Sequence, residues 1–308
     1  MTPRFILALL AASIVPLGSA SAQDQAPHQQ PQEQLAAKAN GPAGERPAGP
    51  PPAAANGGPG RPDTQGLSVT LGFAPVLSPA FQGSRDMTLS VFPDLRLKYD
   101  DAIFASIPEG LGWNAINADG WKAGPLAKIR FGRDEDTGGS PFLIAGDSDA
   151  LIGLGDIGTS GEIGGFVEKR FGPRRAWQLR GEVLQGFGGH DGILADVSLN
   201  YRTRVSGANV SFGPRASFAS SDFTQTYFGI DSVQSANSGL PVFEADGGLL
   251  SWGVGGTAIK PIDRRSAVTL FTSLERLGGS AEDSPLVTQR GRATQFTIGI
   301  GYGVRFGL

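Results

Sequence analysis

The chain has 308 residues, with 26 Lys+Arg against 29 Asp+Glu for a net charge of −3, and contains no cysteine. That balance gives no bulk positive charge for nucleic-acid binding, and the missing thiols exclude a disulfide framework, a thiolate metal site and lipoprotein acylation. The 46 glycines are roughly twice the usual ~7%. They follow no Gly-X-Y period, which excludes collagen, and they suit curved strands and tight turns.

Residues 1–22 read as a cleaved signal peptide. Arg4 supplies the positive charge, Phe5 to Leu17 the apolar stretch, and Ala20-Ser21-Ala22 the small-residue cleavage site. The apolar stretch is too short for a spanning helix, so an exported mature chain is expected. Residues 23–65 are rich in Pro, Gln and Ala. They hold Leu35 as their sole branched aliphatic and no aromatic residue. Such a segment cannot form a core, and it reads as a disordered periplasmic linker.

From Gly66 to the end the chain alternates apolar and polar residues, the signature of strands with two different faces. Expected strands are Leu67–Phe73, Met87–Tyr99, Ala102–Ile107, Gly120–Phe131, Thr159–Phe171, three within Ala176–Phe218, then Gly247–Lys260, Ser266–Arg276 and Thr294–Phe306. A soluble sandwich also alternates. However, runs of about ten residues or more are long for globular strands and suffice to cross a bilayer when tilted. No window of the mature chain has the ~18 continuous apolar residues of a spanning helix. The fold expected is all-β, a transmembrane antiparallel up-and-down barrel of about twelve strands. Since single-chain bacterial barrels are even-stranded, Leu111–Ile116 is enlisted as the remaining strand.

Connections at Tyr99–Asp101, Gly172–Ala176, Val205–Ala208 and Pro261–Arg265 are short. Those at Ala74–Asp86, Gly132–Gly158, Ala219–Asp246 and Gly278–Ala293 are long. Short turns face the periplasm and long loops the exterior, so both termini are expected in the periplasm. Tyr99, Trp121, Phe171, Trp177, Tyr201, Tyr302 and Phe306 are assigned to one aromatic girdle, and Phe73, Phe131, Phe187 and Phe218 to the other. Lys169 breaks the apolar parity of its strand beside Phe171, where a lysine can snorkel. In the last strand Ile298, Ile300, Tyr302, Val304 and Phe306 are expected to face lipid, with Gly299, Gly301, Gly303 and Arg305 inward.

The inward parity carries Arg96, Lys98, Lys122, Lys128, Arg130, Arg180, Arg202, Arg204 and Arg215, countered among others by Glu182, Asp196 and Glu275. These residues would line either a pore or a lumen filled by mutually paired side chains. His190-Asp191 is the barrel's sole histidine pair. It would serve a hydrolase only beside a serine and a carboxylate, and the glycines around it indicate a tight extracellular turn. Gly153-Leu-Gly-Asp-Ile-Gly158 fits G-x-G-x-x-G without a following helix pattern, so it reads as a glycine-rich loop. Asp134, Glu135, Asp136, Asp147, Asp149 and Asp156 lack the regular spacing of a calcium loop and read as a solvated acidic loop. No cofactor, metal or catalytic residue is assigned.

Several short motifs recur in order along the barrel region: Phe131-Gly-Arg-Asp-Glu-Asp136, Gly153-Leu-Gly-Asp156, Gly188-Gly-His-Asp-Gly192, Tyr201-Arg-Thr-Arg204, Thr226-Tyr-Phe-Gly229, Ser238-Gly-Leu-Pro241 and Asp283-Ser-Pro285. In these the sequence from Gly66 onward resembles the MipA/OmpV family of outer-membrane proteins. The resemblance implies an outer-membrane barrel in contact with lipid. For the family's best-known member it also implies a scaffold joining a murein lytic transglycosylase to a murein synthase. Barrels of this kind usually end on an aromatic residue; here Gly307-Leu308 follow Phe306, which takes that role. The function expected is therefore a non-enzymatic scaffold in the outer membrane. A passive channel for small solutes is the alternative, and a lipid hydrolase centred on His190 stands third.

Overall fold

The computed structural model describes residues 66–138 and 141–307; the expected signal peptide and linker lie outside them. Strands in chain order are β1 (Leu67–Pro79), β2 (Met87–Tyr99), β3 (Ile103–Ser106), β4 (Gly110–Trp113), β5 (Ile116–Ala118), β6 (Trp121–Arg130), β7 (Leu143–Ala145), β8 (Ser160–Phe171), β9 (Trp177–Gly188), β10 (Ile193–Val205), β11 (Ala208–Ala219), β12 (Gly248–Pro261), β13 (Ser266–Leu277) and β14 (Thr294–Gly307). Every pairing is antiparallel. Since β1 bonds both β2 and β14, twelve strands close into a ring, with β5 and β7 as short additions on β6 and β2. Ring closure pairs the first strand with the last, as a sheet that spans a bilayer requires.

The alternation sets the faces. On β9, Trp177, Leu179, Val183 and Phe187 are exposed on the outer wall while Leu184 is buried inside. On β14, Ile298, Ile300, Tyr302 and Phe306 point outward, and Gly299 and Gly301 are buried inward. Lys169 stands outward on β8. It lies over the Trp121 ring at 4.5 Å and donates to the Asp119 carbonyl at 3.0 Å, so its charge leaves the apolar band at the short-turn rim. At that rim the β10–β11 hairpin turns through Ser206 (φ 48°) and Gly207 (φ 80°). Two positive φ values in a two-residue loop match the right-handed twist of the flanking strands. Both ends of the described barrel lie here, Ser68 pairing with Gly307.

Three expectations change. β1 does not stop at Phe73 but runs to Pro79, so the Ala74–Asp86 loop is shorter than the spacing implied. Pro75 is tolerated because the β1–β14 ladder is made on either side of Ala74–Pro75 but not at them, where the missing N–H would count. Phe73 is consequently mid-strand, opposite Tyr302 with ring centroids 6.4 Å apart, and not in the far girdle. The expected strand Leu111–Ile116 is divided into β4 and β5 around Asn114, whose side chain donates to the Asp101 carbonyl at 2.5 Å. β3 and β4 reach only from the short-turn rim to the level of Arg96 on β2, and β7 pairs with β2 above them.

The long loops fold. They carry helices α1 (Ser221–Phe228), α2 (Ser232–Ser238), α3 (Gly279–Asp283) and α4 (Pro285–Arg290). Phe223, Tyr227, Phe228, Ala281 and Val287 from these loops bury against Leu194, Ala219, Leu250 and Leu277 at the strand ends. A second cluster joins Phe81, Leu151, Leu154, Ile230, Leu240 and Leu286 from four different loops. Together they cap the extracellular mouth with an apolar core of its own. Arg290 locks the layers by donating to the carbonyls of Ala150 and Ile152, both at 3.0 Å, and of Ser238.

Two outcomes follow from this geometry. A charge on the lipid face near the midplane costs about 2–4 kcal/mol. Ile300→Arg should therefore sharply lower the folded fraction read by heat-modifiable gel migration, whereas Gly301→Ser, whose new Cβ would meet nothing nearer than 3.6 Å, should fold like the parent. Arg290→Met removes charged donors worth about 1.5–3 kcal/mol each. It should leave the barrel folded but make the 147–152 segment protease-sensitive on intact cells; unchanged resistance would mean the clamp is dispensable.

Candidate functional site

Strand parity brings charged side chains from β2, β6, β8, β9 and β10 into one half of the barrel interior. Glu162 and Glu168 on β8 are 2% and 5% exposed, and buried carboxylates of this kind need paired donors. Arg130 supplies one for Glu162 through Nε at 2.6 Å. Glu168 accepts from Arg170 Nε at 2.9 Å, Gln178 Nε2 at 2.8 Å and Arg180 Nη1 at 3.4 Å. Glu182 accepts from Arg180 Nε at 2.6 Å and from Lys128, and Arg202 reaches the same network through Gln178 Oε1 at 3.0 Å.

The remaining charged candidates are dispersed. Arg96 pairs with Asp94 at 2.6 Å. Arg215 and Glu275 meet at 3.3 Å across β12, the guanidinium lying over Gly255, where a Cβ would collide with it. Asp196 accepts from Ser217, and Arg204 donates to Asn209 at 3.3 Å. Lys122 holds Asp101 at 2.7 Å in the short turn after β2, with Lys98 nearby. Burial pulls the Asp101 carboxyl upward, but the Lys122 ammonium outweighs it and the group stays below the usual carboxylate range.

His190 occupies the β9–β10 turn, yet its ring folds inward and is buried on top of Gly186, where no side chain would fit. Gly192 N–H donates to Nδ1 at 3.2 Å, which fixes the proton on Nε2, and Nε2 faces Glu162 Oε1 at 3.2 Å. Ser160 is adjacent, but its hydroxyl accepts from the His190 backbone N–H at 3.0 Å and not from the ring. Serine, histidine and carboxylate thus come together without a nucleophile–base contact. Phe223 and Tyr227 pack against the imidazole at 5.0 and 5.9 Å, which makes it a bolt between barrel and cap. Asp191 is exposed, its carbonyl taken by Gln185.

The acidic loop and the glycine motif explain one another. Gly153 and Gly155 adopt φ of 88° and 73° and present their N–H groups to Glu135 Oε2 at 3.3 and 3.0 Å. The nest therefore holds this chain's own carboxylate. Asp156 accepts from Glu135 N at 2.9 Å, and Asp134 from Asp136 N and Thr137 N at 3.0 Å. These carboxylates act as turn acceptors.

Two residues escaped the sequence reading. Arg170 shares the parity of Glu168 and Glu162, a signal obscured by the neighbouring outward Lys169. Arg133 lies in a loop and gave no periodic signal. It is buried beneath the cap, donates to the Tyr227 carbonyl at 2.6 Å and faces the Phe81 and Tyr227 rings at 5.9 Å. Burial pushes its pKa down to about 10, so it remains charged at neutral pH.

The family model described as MltA-interacting protein MipA matches residues 71–306. No curated protein matches the sequence. Among solved structures the chain is similar to an outer-membrane channel from Pseudomonas putida F1, at 11% identity and a TM-score of 0.40, with 79% of this chain and 96% of that one covered. It is also similar to the NanC porin, at 9% identity and a TM-score of 0.36, with 77% and 98% covered. An anion-selective porin from Comamonas acidovorans gives 10% identity and a TM-score of 0.29, with 78% and 98% covered. With its match running from the first barrel strand into the last, the chain belongs to the MipA family, and its closed, apolar-walled barrel sits in the outer membrane.

Proposed function

We propose that this protein is a non-enzymatic scaffold that holds a murein lytic transglycosylase and a murein synthase at the inner surface of the outer membrane. Its short turns and the Pro/Gln-rich segment preceding Gly66, the latter read as a linker behind a cleaved signal peptide, form the contact surface. The observation that carries the reading is the closure of the extracellular mouth by a cap with its own apolar core. A barrel stoppered on the outside presents its adaptable surface to the periplasm. The family's description as MltA-interacting supports a transglycosylase as one partner. The non-enzymatic character draws on His190, whose two ring nitrogens are both engaged and whose ring is sealed behind Phe223.

A second reading, a passive channel for small solutes, draws on a different observation. Inward-facing Arg96, Arg130 and Arg170 keep 36% side-chain exposure and Arg215 keeps 45%, so the interior is wet beneath the cap.

Crosslinking intact envelopes and purifying the barrel should recover a murein-active enzyme, with recovery lost when residues 23–65 and the short turns are replaced by Gly/Ser sequence. Absence of any murein enzyme from the crosslinked material would defeat the scaffold. In planar bilayers the folded protein should show no steady conductance; regular open-channel events would move the assignment to the channel. His190→Ala should leave esterase and deacylase activity at the parent's background level.

A further inference from the structure

At the short-turn rim, on the side opposite the cap, a cavity of about 100 Å³ opens between the end of β2, the β3–β4 hairpin and strands β6, β8 and β9. Its cationic lining is Lys98, Lys122, Arg170 and Arg180, against Asp101, Glu109 and Glu168. These cations are not equally committed. Lys122 is bound to both oxygens of Asp101, and Arg180 spans Glu182 and Glu168. Arg170 uses only Nε, on Glu168 at 2.9 Å. Among the described residues its two terminal nitrogens donate to no protein group. Lys98, on the same wall, is held by no hydrogen-bonded carboxylate among the described residues.

The surrounding network leaves this charge uncompensated. Lys128, Arg180, Arg170 and Arg202 are joined through Glu182, Glu168 and Gln178, four cations to two carboxylates. An excess of one sign in a cleft with low-dielectric walls concentrates counter-ions there. A guanidinium with a free planar fork matches the two oxygens of a carboxylate or phosphate, and an ammonium adds a point charge.

We propose that this cavity is an oxyanion site that takes a carboxylate or phosphate group from the periplasm, with the free fork of Arg170 as the principal donor and Lys98 as the second. The site is independent of the scaffold reading. It asks only that the rim be open to the periplasm, where the short turns place it.

The full mature chain, folded in detergent, is titrated calorimetrically with inorganic phosphate and separately with glutarate, at low and at high salt. Saturable binding of at least one anion is expected, weakening with salt. Arg170→Gln should weaken it about tenfold or more, as loss of a charge-assisted contact does. Lys98→Gln should weaken it several-fold, and because it breaks no hydrogen bond it keeps the test valid if Arg170→Gln fails to fold. Arg264→Gln, in the exposed turn after β12, should bind like the parent. Tighter phosphate binding assigns a free phosphate source, and tighter glutarate binding a carboxylate-bearing one. The proposal is overturned if neither anion binds, or if folded Arg170→Gln and Lys98→Gln bind as the parent does. Retained anion binding in a protein that captures no murein enzyme would sink the scaffold reading alone.

Discussion

Ring closure is the constraint on which the rest of the structure depends. In a bilayer an unpaired backbone N–H or C=O has no water to turn to, so a sheet can span only if its first and last strands pair. Here the pairing of β1 with β14 runs from Ser68 opposite Gly307 to Leu77 opposite Ile298. Once the ring is closed, the two-residue period of a strand assigns every side chain to lipid or interior, and a one-residue slip would exchange the two sets. The outward Leu, Ile, Val and aromatic residues hold the register against the membrane. The buried carboxylates of β8 hold it from within.

The interior shows how the two requirements are reconciled. Placing Glu162 and Glu168 almost out of reach of water is costly unless each is met by cations. β6 and β9, the two neighbours of β8, carry Lys128 opposite Glu162 and Arg180 opposite Glu168, with Arg130 opposite Ser160 and reaching Glu162 diagonally. The charged half of the barrel is therefore held by cross-strand pairs, and the opposite half, on β12 to β14 and β1, is lined largely by Gly, Ser and Thr. Phe271 reaches across Gly299, where a Cβ would fall 2.2 Å from the tip of its ring. Glycine in this barrel is in part a device for seating large inward groups, as Gly186 seats His190 and Gly255 seats Arg215.

Most of the wall was legible in the sequence because a strict period of two is a long, redundant signal: the twelve-strand ring, the faces of β9, β10 and β14, and the short turns all follow from it. The signal failed where it was interrupted. The alternation of the expected β1 lapses at Ala74-Pro75, although a proline is harmless at a ladder position that makes no bond. Phe73 was misplaced in consequence. Asn114 divided a strand for the sake of a single bond to Asp101. The helices of the cap gave no warning, since segments of five to eight residues are too short to establish a helical period. The site was legible as a set of inward charges but not as a network. Parity says which residues share a face, and only the strand registers say which of them meet.

The cap changes what the long loops mean. Loops on the outer face of a barrel are usually read as the variable, solvent-exposed part, yet here Leu151, Phe228, Ile230 and Leu286 are at most 1% exposed. Their burial draws residues from loops far apart in sequence into the two apolar clusters of the cap, where Arg133 and Arg290 bind backbone carbonyls and His190 reaches the β8 carboxylate below. Because His190 touches both Phe223 of the cap and Glu162 of the wall, the apolar core above and the ionic network beneath share one residue. The barrel is therefore asymmetric along its axis, with an apolar stopper outside and a charge-rich rim toward the periplasm. At that rim, among the described residues, the terminal nitrogens of Arg170 donate to no protein group.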